Sequence, residues 1–199
     1  MSQILLLQSS LNGPASRTNQ LMERFLQTRR EQGHQDQVVV RDLTALDLPV
    51  LDSPLFHALR GAEPANEAIR QAVALSDRLI AELKAADLLL IGAPMYNLNV
   101  PTPLKNWFDL VARAGVTFRY TDTYPMGLVE GVNALVFSSR GGVHQGQTTD
   151  AVTPYLQSVL GLMGIAQVEF VYAEGMDLHP HGAEQGMREA HARIAGLGR

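Results

Sequence analysis

Short apolar runs alternate with helical periodicity from one end of the chain to the other, and this alternation constrains the fold more tightly than any single motif. The runs lie at residues 4–7, 38–40, 88–91, 134–137 and 168–172. The first four are near-continuously apolar, as expected of strands covered on both faces, whereas the fifth alternates through Glu169, which suits an edge strand. Amphipathic stripes lie between them: Leu21, Met22, Phe25 and Leu26; Ile69, Val73, Ser76, Ile80 and Leu83; Leu104, Trp107, Phe108 and Val111; Val152, Tyr155, Leu156, Val159, Leu160 and Met163; and a weaker one through Met187, His191 and Ile194. Strands alternating with helices predict an α/β doubly wound parallel sheet of five strands, with right-handed crossovers and helices on both faces. No repeat, linker or low-complexity tract interrupts the pattern, so residues 1–199 read as one domain, and 46% apolar content is ample for its core.

Several function classes drop out on composition. A net charge of -4 gives no basic footprint for nucleic acid. No apolar run approaches the roughly 20 residues of a membrane helix. Met1-Ser2-Gln3 leads straight into the first strand without a basic stretch, so no signal peptide is expected and a cytoplasmic location is. With no cysteine there are no disulfides, no thiolate metal site and no thiol chemistry, and no metal site is expected from the scattered histidines.

In open parallel sheets ligands bind beyond the carboxyl ends of strands, where the strand order reverses. For the order 2-1-3-4-5 the reversal lies between the first and third strands. The first strand empties into Ser9-Ser10, with Ser16, Arg17 and Thr18 close behind. The third empties into Ala93-Pro94-Met95-Tyr96-Asn97 and the fourth into Ser138-Ser139-Arg140-Gly141-Gly142-Val143-His144. Hydroxyls and free amides at a helix start suit a phosphate. Taken alone, Ser16 reads more simply as a helix N-cap; the two neighbouring loops tip the balance toward a composite ligand site. A proline, a thioether, an aromatic and a carboxamide beside bare glycine backbone suit a flat, amide-rich ring.

Two nucleotide signatures fail. No Gly-x-Gly-x-x-Gly follows the first strand. Residues 141–148 approach a P-loop, but Gln147 stands where the phosphate-binding lysine must be. Among the histidines only His144 falls at the crevice, and an ordinary loop histidine is its simpler reading. Two long connections, residues 43–66 and 115–131, read as lids or partner surfaces.

Together these motifs, with Leu104-Lys105-Asn106-Trp107-Phe108-Asp109 and Arg113-Ala114-Gly115-Val116-Thr117-Phe118-Arg119-Tyr120, resemble the bacterial FMN-dependent NADH-azoreductases, of the flavodoxin-like NAD(P)H:quinone oxidoreductase superfamily. The likeness runs from residue 4 to about residue 175. It implies a flavodoxin-like fold and one non-covalent FMN per chain. The positions matching the family's phosphate and ribityl contacts are Ser10, Ser16, Arg17 and Thr18. Those matching its ring contacts are Met95, Tyr96, Asn97, Leu98, Ser139, Arg140, Gly141 and Gly142. Leu98 and Leu162 stand at or near positions where relatives often carry aromatics. The resemblance further implies ping-pong hydride transfer from NADH or NADPH through flavin N5 to quinones or aromatic azo compounds. Asn97 would orient the ring, and Tyr120, His144 or solvent would supply the proton. A homodimer is implied too, and Leu55, Phe56, Leu59 and Phe118 in the long connections are expected to be exposed on its interface.

Overall fold

In the computed structural model, residues 1–197 are described. The main sheet consists of β1 (Gln3–Gln8), β2 (Gln37–Asp42), β3 (Leu88–Gly92), β6 (Asn133–Ser139) and β7 (Val168–Ala173). All pairings are parallel, in the order β2-β1-β3-β6-β7. With the small hairpin β4 (Phe118–Arg119) and β5 (Met126–Gly127) set aside, this is the 2-1-3-4-5 order, with the reversal between β1 and β3.

Alternate residues of each strand point to opposite faces, and each face has its own core. Helices α1 (Arg17–Glu31) and α6 (Gly182–Leu197) bury Leu21, Met22, Phe25, Ala190 and Ile194 against Ile4, Leu6, Leu90, Leu135 and Phe137. On the other face α3 (Glu67–Ala85), α4 (Thr102–Val111) and α5 (Val152–Met163) pack against Leu5, Leu7, Leu89, Ile91 and Val136. Ser76, polar but on an apolar stripe, donates to the Leu110 carbonyl and so ties α3 to α4. The last two residues of the expected domain, 198–199, lie outside the described residues.

Two expectations need correction. Val38, Val39 and Val40 are not covered on both faces: β2 is the outer edge strand, and all three are 37–49% exposed. Helix α1 lies mainly over β3 and β6 and α3 over β1; α3 meets β2 through the Arg41–Glu82 ion pair and leaves the three valines uncovered. Nor are the long connections as apolar outside as expected. Residues 43–66 fold into a short α2 (Ser53–Ala58), capped by Asp52, which turns Leu55 and Leu59 into the core. Phe118 is also buried; Phe56 alone of the four is exposed. The hairpin in residues 115–131 lies against the C-terminal end of α5 instead of hanging free.

Candidate active site

The reversal point puts the ends of β1 and β3 side by side. Ser9 Oγ donates to the Gly92 carbonyl at 2.6 Å and fixes the two ends together. Gly92 has no side chain for a reason of space: a Cβ there would lie 2.7 Å from Met22 Cε and 3.3 Å from Thr18 Oγ1. Its absence lets the first turns of α1 settle on the strand end. Ser16 is indeed the N-cap, accepting from the Asn19 amide at 3.1 Å, and its hydroxyl pairs with that of Thr18. Both are fully buried. The next amides, Arg17 and Thr18, lie in the first turn, where the helix itself offers them no acceptor.

Beyond β3 the chain makes a two-residue turn. Tyr96 and Asn99 exchange backbone hydrogen bonds of 2.9 and 3.0 Å, while Asn97 (φ 49°) and Leu98 (φ 64°) are both left-handed. Asparagine tolerates that region; leucine is strained there by roughly 1–2 kcal/mol. The turn projects both residues outward, and neither amide has an acceptor among the described residues. Tyr96 Oη reaches back to Ser10 Oγ (3.2 Å) and the Leu11 amide (3.1 Å) and joins the first and third loops. The Met95 amide donates to the Ser139 carbonyl and joins the third loop to the fourth.

The loop after β6 is polarised by its neighbour. Carbonyls of Arg140, Gly141 and Gly142 accept from the amides of Met176 (3.2 Å), Asp177 (3.0 Å) and Gly175 (2.9 Å). The amides of Gly141, Gly142 and Val143 have no acceptor among the described residues. Carbonyls are thus consumed on one side and donors left open on the other.

Beneath this loop the Arg140 side chain is completely buried. It bonds Ser138 Oγ (3.1 Å), Thr153 Oγ1 (3.0 Å), Asp150 Oδ2 (3.0 Å) and Glu174 Oε1 (3.2 Å), and its guanidinium lies 4.7 Å from the Tyr172 ring centre. Only its main chain reaches the crevice. Burial pushes the Asp150 carboxyl up, but Arg140 and the Thr153 amide and hydroxyl outweigh it and hold the group below the usual carboxylate range. The hydrogen bond from Arg29 likewise holds Asp36 low. Both folded values lie below the unfolded ones, so their stabilisation is complete above the unfolded carboxylate value of about 4 and is lost as pH falls through the folded values. We expect the thermal midpoint to fall below about pH 4, and to fall less steeply in Asp150→Asn. A midpoint flat from pH 5 to pH 2.5 would contradict this.

The loops enclose a crevice of about 340 Å³, lined by Arg17 at one end and by Pro94, Met95, Tyr96, Ser139, Arg140 and Gly141 along its sides. Of the residues singled out in the sequence, Ser16 and Thr18 lie buried under the α1 start, Ser10 behind Tyr96, and Gly142, Asn97 and Leu98 beside the lining. His144 lies against Gly142, its Nδ1 2.8 Å from Thr149 Oγ1. Tyr120 is not part of the lining: it is 65% exposed and packs edge-on to Phe118. Asn12, Met176, Asp177 and Ala183 do line the crevice and were missed. For Met176 and Asp177 the signal available was that the loop after β7 ends at the same edge of the sheet as the other three.

The fold and the full extent of its match decide the lineage. A family profile described as a flavodoxin-like fold matches residues 2–197. The chain belongs to this flavodoxin-like family. Within it, the chain is 66% identical over 197 residues to an FMN-dependent NADH:quinone oxidoreductase 4 of Burkholderia lata, with 99% of each chain covered. It is 52% identical to an FMN-dependent NADH:quinone oxidoreductase of Aeromonas salmonicida, again over 99% of each. Among solved structures, an azoreductase from Bacillus anthracis superposes with a TM-score of 0.87 at 28% identity, covering 100% of this chain and 99% of the other. The flavodoxin-like lineage accounts for the strand order and for a crevice at its reversal.

Proposed function

We propose that the crevice holds one non-covalent FMN and that the chain, as one FMN-binding domain, uses NADH or NADPH to reduce quinones and to cleave aromatic azo compounds. One observation carries this reading: open amide donors at two adjoining loops, Asn97–Leu98 and Gly141–Val143, flank a crevice that ends at the start of α1 beside Arg17. The donor set matches the molecule from end to end. Arg17 and the α1 amides suit a phosphate, and Pro94, Met95 and Tyr96 offer an apolar wall to a flat ring. The names of the Burkholderia and Aeromonas relatives support the same cofactor, reductant and quinone acceptor, and that of the Bacillus structure supports azo substrates.

When held there, FMN would supply two-electron hydride chemistry at N5 between the nicotinamide and the acceptor. The protein's part is positioning and charge. Amides of residues 141–143 meet the negative charge that reduction places on the ring. Asn97, held outward by its left-handed turn, orients the ring edge. Of the side chains named as proton sources we assign the role to His144, beside the 141–143 loop with its Nδ1 held by Thr149 and its Nε2 turned to Gly142, solvent being the alternative. Tyr120 stands outside the lining, and with Phe56, Tyr124 and Met126 it forms exposed apolar surface that we assign to a homodimer contact. A sedimentation mass of one 21.7 kDa chain at micromolar concentration would reject that contact.

One crevice of this size admits one flat molecule over the ring at a time. Nicotinamide and acceptor then alternate, and double-reciprocal plots of NADH against quinone should be parallel. Asn97→Ala should slow flavin reduction about tenfold or more, because hydride transfer depends on alignment. Intersecting lines would show a ternary complex and reject the shared position.

A further inference from the structure

We infer that the Glu174 carboxylate anchors the far end of the 141–143 loop, completing the hold that the main chain of residues 175–177 has on the loop carbonyls, and so helps set how tightly the loop's open amides grip the flavin without itself touching it. This rests on the FMN reading of the crevice. A single oxygen, Glu174 Oε1, receives the amides of His144 (2.8 Å) and Gln145 (2.9 Å) together with Arg140 Nη1 (3.2 Å). The residues directly after it, Gly175, Met176 and Asp177, occupy the carbonyls of residues 142, 140 and 141. One four-residue segment therefore fixes the loop twice, through the carbonyls ahead of the open amides and through the amides behind them. No peptide between Arg140 and His144 can rotate without breaking one of these bonds. The three amides left over are held toward the crevice before any ligand arrives, and such preorganisation strengthens both binding and charge stabilisation.

Charge balance does not explain the glutamate. Arg140 already has Asp150 at 3.0 Å, so a second carboxylate leaves the buried cluster with one negative charge in excess. That excess is accommodated by the two loop amides, which points to the loop as the reason for its presence. Glu174 is thus a positioning residue.

Two conservative variants separate reach from charge. Glu174→Asp keeps the charge and withdraws the oxygen by one methylene; Glu174→Gln keeps an oxygen in place and loses the charge. FMN is titrated into flavin-free wild type and both variants, followed by flavin fluorescence, and the midpoint potential of each loaded protein is measured against reference dyes. Glu174→Asp should weaken FMN binding by about tenfold, the effect of roughly one lost charge-assisted hydrogen bond, and should move the midpoint below that of wild type, since the loop amides favour the reduced ring. Glu174→Gln should bind FMN within about threefold of wild type. The opposite ranking, or an Asp variant that matches wild type in both affinity and midpoint, overturns the assignment and leaves Glu174 a partner of Arg140 alone. Wild type that takes up no FMN overturns the cofactor reading itself, and this assignment with it.

Discussion

Replacing Arg140 with methionine is expected to lower the unfolding free energy by about 3–5 kcal/mol, enough to remove a large part of a domain's stability. The guanidinium has no exposed surface and is the shared partner of Asp150 and Glu174, themselves nearly buried. Methionine fits the stem but leaves both carboxylates facing each other without a cation, and that is the costly half of the change. Thr153, at the start of α5, and Ser138, at the end of β6, each lose a donor as well. Combining Arg140→Met with Asp150→Asn and Glu174→Gln should recover part of the loss, since the repulsion is gone. Urea unfolding of the two variants measures it. A single variant within about 1 kcal/mol of wild type would mean the cluster is wetter and weaker than its burial implies.

Gly127→Ala should be comparably severe. A Cβ there would lie 2.1 Å from the Gly164 amide nitrogen and 2.2 Å from its α-carbon. The obstacle is backbone, so no rotamer change relieves it. Gly164 cannot retreat easily, because it closes α5 in a left-handed turn (φ 103°) and packs on the Val129 carbonyl. The hairpin must lift off the helix end, and overpacking of this kind costs about 3 kcal/mol or more. Gly131→Ala, at a glycine in the same connection with open space around its α-carbon, is the contrast: it should lose only the cost of its positive φ, about 1 kcal/mol. Equal losses in the two variants would show that the hairpin does not depend on that contact.

The sheet was legible because β1, β3 and β6 are buried in their middle and the helices between the strands carry apolar stripes. Strand order came with the flavodoxin-like resemblance, and the crevice followed from the order. Exposure was legible only where the neighbours were known. Val38, Val39 and Val40 spell a buried strand, yet their place at the edge leaves them bare, because coverage depends on how far α1 and α3 extend over the sheet. Leu55 and Leu59 read as loop apolar residues until the Asp52 cap turns them into a helix facing the core. Arg140 shows the same limit at the site. Its motif marks the ring-binding loop, but the direction of its side chain depends on Asp150 and Glu174, 10 and 34 residues away. The open amides of residues 141–143 were foreseeable only in part. Glycines suggested exposed backbone, whereas the consumption of their carbonyls by residues 175–177 is a tertiary fact.

The proposed function stands or falls on whether the crevice at the strand reversal holds FMN and works as an oxidoreductase site. Its most direct test is to denature the purified protein, identify and count the released flavin, and assay the native protein for quinone-dependent NADH oxidation. The protein should release one FMN per chain, take it up again when flavin-free, and oxidise NADH only with both the flavin and the quinone present. Release of FAD, or a protein that binds no flavin on reconstitution, would contradict it.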